Sequence, residues 1–164
     1  MLPRAAVDVL VFQLDHNRHG VRTDDLLEIV RAVALAPLPG APGVIDGVFN
    51  LRGRMVPVVD ARRALHLPLA PLDPGQHFLI VRAGPRTVAL RVDHAETLAQ
   101  VPDESVEDPG AQLPMSRRVT GVAKMPDGLI LIHDLSAFLS EAEAETLDSA
   151  MASLRAAPMS SSSS

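Results

Sequence analysis

Roughly every eight to twelve residues the chain places Gly, Pro or Asp beside an apolar run, a spacing that suits short strands and leaves no room for long helices. Runs rich in Val, Ile and Leu at residues 7–14, 44–50, 55–59, 77–81, 87–92, 98–101, 119–125 and 129–132 read as strands. Leu51-Arg52-Gly53-Arg54 is a natural tight hairpin, Gly84-Pro85 a second turn, and Pro126-Asp127-Gly128 a third. Three prolines in 37–42 and three in 68–74 rule out regular structure there. The second half repeats the grammar of the first. Strands so short and so many predict a sandwich or barrel, and 164 residues fit two small barrels of about five strands each.

Helical signals are few. Thr23-Asp24-Asp25 reads as a helix start, with Leu26, Leu27, Ile29 and Val30 following at helical spacing. A helix there puts Leu26 and Ile29 on one face and Leu27 and Val30 on another. Residues 60–67 fit one or two turns, and 135–139 fit one. Residues 141–154 are Ala-rich and amphipathic, and 102–118 read as a long surface loop. The expected organisation is a single unit at 7–140, a C-terminal helix at 141–156, and a disordered Ser-rich tail at 157–164.

Composition narrows the function. Hydrophobic residues make up 47%, but the only aromatics are four Phe, so the core is aliphatic. A net charge of -5 with no Trp or Tyr argues against a nucleic-acid surface, which needs basic stripes and stacking aromatics. The absence of Cys removes disulfides, thiolate metal sites and a Cys nucleophile. No apolar run approaches the ~18 residues of a membrane span, and residues 1–6 are too short for a signal peptide. A soluble cytoplasmic protein is expected.

Candidate chemistry is sparse. Asp15, His16 and His19 share one expected turn, but a metal site needs three or four converging ligands, so no metal is expected. His133, in an apolar run before Asp134, reads as a structural or interface histidine. Asp60 and Asp93 each close an apolar strand, and capping of the following turn or helix is favoured over acid–base work. No nucleophile elbow, P-loop or zinc-protease motif occurs, so no enzyme is expected. Arg52, at a hairpin tip, reads equally as a planar fork for a carboxylate or as a solvated turn residue.

Asn50-Leu51-Arg52-Gly53 followed by Val56-Pro57-Val58-Val59-Asp60 resembles the signature of the CheW-like domain family. Val11-Phe12-Gln13-Leu14, the stretch Leu26 to Arg31, Ile45-Asp46-Gly47-Val48, the stretch Val88 to Asp93 and Thr120-Gly121-Val122-Ala123 resemble further family segments in the family's order. Three positions depart from the pattern. His19 stands where Tyr or Phe is usual, Ala89 where Gly is common, and His133 where the residue is usually apolar.

The resemblance implies a mainly β fold: two five-stranded SH3-like β-barrels packed together, with short helices, a C-terminal helix and a groove between the barrels. It implies no enzyme activity, no cofactor and no metal. It implies an adaptor that links chemoreceptor cytoplasmic tips to the regulatory domain of a CheA-type histidine kinase. The partner-binding residues it implies are Leu26, Glu28, Ile29 and Arg52 from the first half, and Ala95 and Leu98 from the second. The same fold serving another kinase pathway, such as twitching motility or biofilm control, is the alternative. A small-molecule-binding barrel would need a lined pocket with convergent polar groups, and no cluster in the sequence suggests one.

Overall fold

The computed structural model describes residues 6–102, 106–107, 119–126, 128–134 and 138–156. Residues 135–137 of the expected turn over 135–139, most of the expected 102–118 loop and the tail at 157–164 lie outside them. The chain order is β1 (Ala6–Leu14), β2 (Asn17–Arg22), β3 (Leu26–Arg31), β4 (Ile45–Leu51), β5 (Arg54–Asp60), α1 (Ala61–Ala64), β6 (His77–Ala83), β7 (Arg86–Val92), β8 (His94–Pro102), β9 (Val106–Glu107), β10 (Val119–Met125), β11 (Gly128–His133) and α2 (Glu141–Ala156). Residues 106–107, expected in a loop, instead pair with β10.

The strands form a five-stranded sheet in the order β3-β6-β7-β5-β4 and a six-stranded sheet in the order β8-β1-β2-β11-β10-β9. The fold is mainly β, as expected, with the sixth strand supplied by the two-residue β9. The sheets do not follow the halves of the chain. Strands β1 and β2 leave the N-terminal half and pair with β8 and β11. Each sheet joins two hairpins through one parallel seam, β2 with β11 in the larger and β5 with β7 in the smaller.

Period-two alternation explains why the strands read as nearly continuous apolar runs: both of their faces are buried. Leu10, Phe12 and Leu14 enter a core layer shared by both sheets, while Val9 and Val11 turn into the larger sheet's own interior. In the smaller sheet Leu79, Val81, Val88 and Leu90 join the shared layer, and Phe78, Ile80 and Ala89 fill that sheet's interior. Leu147, Ala150 and Met151 of α2 complete the shared layer. The helix starts in a capping box. Ser140 Oγ accepts from the Glu143 backbone N–H at 3.1 Å, and Glu143 Oε1 accepts from the Ser140 N–H at 2.9 Å.

Residues 26–31 form a strand, not the expected helix. Only Thr23–Asp25 makes a single 3-10 turn, and no side chain caps it. Two β-branched residues and an open edge on β6 favour pairing over a helix too short to nucleate alone. A register shift between Leu26 and Glu28 marks a bulge at Leu27, which is exposed. The expected facing is corrected accordingly. Leu27 and Ile29 are exposed together, Leu26 packs on the shared layer, and Val30 packs on the smaller sheet's interior.

Candidate functional site

Edge strands of the two sheets, β3 and β8, frame a groove of about 420 Å³ lined by Asp8, Thr23, Leu26, Leu98, Ala99 and Gln100. Leu98 is 66% exposed and Leu26 half-buried, so an apolar side chain from each sheet faces the gap. Leu98 sits opposite Leu10 in the ladder, and its neighbour Ala99 sits opposite Val9. The strand that offers Leu98 to solvent is therefore anchored to the core strand β1. Beside the groove, Leu27 and Ile29 extend an apolar surface along the outer face of β3.

The six residues singled out in the sequence separate into three groups. Leu26 and Leu98 meet at the groove. Glu28 and Arg52 form an ion pair with each other, and Ile29 is exposed on the opposite face of β3. Ala95 is half-buried against the shared layer, and its N–H donates to His77 Nδ1 at 3.1 Å.

Arg52 and Gly53 occupy the two-residue hairpin loop with φ of 51° and 88°. Both are left-handed, a conformation that costs a non-glycine residue roughly 1–2 kcal/mol. Asn50 Oδ1 offsets part of this cost by accepting the Gly53 N–H at 2.6 Å. The Arg52 guanidinium reaches Glu28 on β3. Strands β3 and β4 are the two ends of the five-stranded sheet, so this pair ties one edge to the other. Just past β3, Ala36 and Val48 exchange two backbone hydrogen bonds of 2.8 Å and close the same sheet on itself.

Two further ionic nodes hold the frame around the groove. Arg62 grips Asp93 with Nε at 3.1 Å and Nη2 at 2.5 Å, while Asp93 Oδ2 accepts the Asp15 N–H at 2.7 Å. The node joins α1 of the smaller sheet to the β1–β2 turn of the larger. The hydrogen bond to Asp93 raises the already high pKa of Arg62 and keeps it charged. Asp93 thus secures a junction between sheets and does not cap its own following turn. Asp60 does act as the expected cap. Its Oδ1 accepts from the Arg62 and Arg63 N–H groups at 3.0 and 3.4 Å, and its Oδ2 accepts from Arg91 at 3.0 Å. Arg91 also pairs with Asp46 at 3.0 Å. Burial raises the Asp46 carboxyl pKa, against the pull of Arg91.

The histidines of the β1–β2 region do not converge. His16 is exposed on the turn, whereas His19 is fully buried in the shared layer beside His133. Neither His19 nor His133 lies on the surface. Among the described residues, no three His, Asp or Glu side chains come together as a metal set.

A family model described as the CheW-like domain matches residues 8–143, which include both sheets and the groove. The chain belongs to the CheW-like domain family. A chemotaxis protein CheW from Treponema pallidum is 24% identical over 145 residues, covering 85% of each chain. Protein FrzA from Myxococcus xanthus is 29% identical over 106 residues, 65% of this chain and 66% of that one. The crystal structure of the scaffolding protein TtCheW from Thermoanaerobacter tengcongensis superposes with a TM-score of 0.78 at 25% identity, covering 85% of this chain and 96% of that one. Sequence reasoning named Leu26 and Leu98 but missed Asp8, Ala99 and Gln100, and it set Leu27 with Val30 on the packed face. A strict period-two reading of residues 26–31 would have separated the half-buried from the exposed side chains on β3, Leu27 included.

Proposed function

We propose that the chain is a non-catalytic cytoplasmic adaptor that couples the cytoplasmic tips of chemoreceptors to the regulatory domain of a CheA-type histidine kinase. The observation that carries this reading is the groove between β3 and β8, where Leu26 and Leu98 face each other on a chain of the CheW-like family. An apolar groove with rigid walls is a standard receiver for the apolar face of a helix. In this reading Leu26 and Leu98 contact the partner helix, and Leu27 and Ile29 extend the contact along β3. Ala95 anchors the start of β8, the strand that carries Leu98, to the shared layer. The Arg52–Glu28 pair braces the strand that carries Leu26 and Ile29. Residues 7–140 act as one unit, and α2 adds to its core. No cofactor takes part.

Interfaces of this modest size reach useful strength when many copies are arrayed. The test is a pull-down of the wild-type chain against the kinase regulatory domain and a chemoreceptor cytoplasmic fragment from the same cell. Retention of both is expected, and retention of neither would refute the reading.

The same adaptor role in another kinase pathway is the second reading. Its support is that the family match fixes the CheW-like domain and not the pathway that uses it. Kinase and receptor fragments from each candidate pathway, tested in parallel, separate the two.

A further inference from the structure

The loop between α1 and β6 is pinned by hydrogen bonds, yet it holds two leucines in solvent. Arg62 Nη1 donates to Pro68 O at 2.8 Å, and Arg91 Nη2 donates to Ala70 O at 3.0 Å. Gln76 Nε2 donates to Pro71 O at 3.4 Å, and Gln76 Oε1 accepts the Asp73 N–H at 3.1 Å. Each of these bonds engages the loop backbone, so the shape of the loop does not depend on burying its side chains. Leu69 stays 55% exposed and Leu72 38% exposed. With half-buried Leu35 they wall a cavity of about 490 Å³, in the size range of small-molecule sites. The cavity shares no lining residue with the β3–β8 groove.

Asp46, Asp60, Arg63 and Arg91 complete the lining. They come from β4, β5, α1 and β7, so no single stretch of sequence shows the cluster. Buried Arg91 is one cation between two carboxylates. Its Nη2 donates to Asp60 Oδ2 at 3.0 Å, and its Nε lies 3.0 Å from Asp46 Oδ2. The second contact is an ion pair outside hydrogen-bond geometry. Asp46 Oδ2 is buried and accepts no hydrogen bond among the described residues. A buried acceptor in that state calls for a donor, and Asp46, only half-buried, is reachable from the cavity. Arg63 is exposed at the edge. Its backbone N–H serves the Asp60 cap, while its guanidinium makes no ion pair among the described residues. The cavity thus combines a surplus negative charge in its buried part, a free positive charge at its edge and aliphatic walls. A cation alone would leave Arg63 unpaired, and an anion alone would meet Asp46 and Asp60.

We propose that this cavity binds a small zwitterion with an aliphatic side chain, an α-amino acid of the leucine class. The ligand's ammonium group donates to Asp46, its carboxylate accepts from Arg63, and its side chain packs on Leu35, Leu69 and Leu72. Such a ligand satisfies every part of the lining at once and brings no net charge of its own. Because hydrogen bonds to backbone already fix the loop, binding orders little that is not ordered beforehand. The site is separate from the adaptor groove, so it stands or falls independently of the adaptor reading.

The test is a titration of the full chain with L-leucine at pH 7, followed by amide NMR spectra. Saturable shifts are expected at Asp46, Arg63, Leu69 and Leu72, and their absence would overturn the proposal. Isocaproate is leucine without its ammonium group, and leucinamide is leucine without its carboxylate. Each should bind at least about tenfold more weakly than L-leucine, the effect of losing one charge-assisted hydrogen bond. Equal binding of either would overturn the zwitterion assignment. Arg63→Gln removes a guanidinium that has no ion pair to lose, so its unfolding midpoint should match the wild type. Its affinity for L-leucine should fall by a similar factor of about ten. Unchanged affinity in the folded Arg63→Gln protein would overturn the site, as would shifts confined to β3 and β8.

Discussion

In the five-stranded sheet the parallel seam sets Asp60 opposite Arg91, whereas in the six-stranded sheet the equivalent seam sets His19 beside His133. The pairing plan is otherwise shared. Each seam joins the second strands of two hairpins, and each has a small residue facing its sheet's interior, Ala89 opposite Val58 in one and Gly20 opposite Ile132 in the other. The polar groups fill opposite sides of the strands. Arg91 and Asp60 alternate with residues of the shared layer, and the two histidines lie within it. One seam depends on an ion pair and the other on two hydrogen-bonded rings. One architecture thus tolerates two kinds of polar joint.

Removing Arg91 is the harshest way to break this comparison. Arg91→Ala leaves Asp60 buried and Asp46 half-buried without their guanidinium. A loss of about 3–5 kcal/mol is expected in urea unfolding at pH 7, because an uncompensated buried charge is costly. A loss under 1 kcal/mol on the scale of an exposed pair would show that the smaller sheet's seam is held by its apolar contacts alone.

Arg62→Ala tests the node between the sheets and should cost roughly 1.5–3 kcal/mol, the range for charge-assisted hydrogen bonds. Because Arg62 also holds Asp93 near the β1–β2 turn, hydrogen exchange should quicken at Asp15 as well as in α1. Gly20→Ala sharpens the comparison of the small residues. A Cβ at position 20 would stand 2.4 Å from Val9 Cγ1 inside the larger sheet. Overpacking of this kind costs typically 1–3 kcal/mol. In the smaller sheet Ala89 already fits the corresponding place, so Ala89→Gly should cost nearer 1 kcal/mol through lost burial and a freer backbone.

Strand placement was legible because period-two apolar runs and turn residues are local signals. The Leu51-Arg52-Gly53-Arg54 hairpin and the Asp60 cap were read correctly for that reason. The β3 error has a physical origin. Six residues, Leu26–Arg31, are too few for spacing alone to tell helix from strand, and β6 as partner is about 50 residues away. The interleaving of β1 and β2 with β8 and β11 was equally invisible, since no local pattern states which strands pair across the chain. His19 and His133 were each noticed, but their contact exists only in three dimensions. The groove was half legible. Leu26 and Leu98 came from the family resemblance, and Leu27 required reading residues 26–31 as a strand.

Arg52→Ala has the smallest expected effect on stability. Its pair with Glu28 is exposed, and exposed ion pairs contribute about 0–1 kcal/mol. Arg52→Gly could even offset the loss, because the loop backbone is left-handed at that position. A drop beyond 2 kcal/mol in the Ala variant would mean that this pair, and not the Ala36–Val48 bridge, closes the five-stranded sheet.

The adaptor account depends most directly on the groove, and Leu98 isolates it. Leu98→Glu changes a side chain that is 66% exposed and belongs to none of the three core clusters, so its unfolding midpoint should match the wild type. Titration calorimetry of this variant against the chemoreceptor cytoplasmic fragment should show binding weakened at least about tenfold, a change of 1.4 kcal/mol. Wild-type affinity in a folded Leu98→Glu protein would contradict the account.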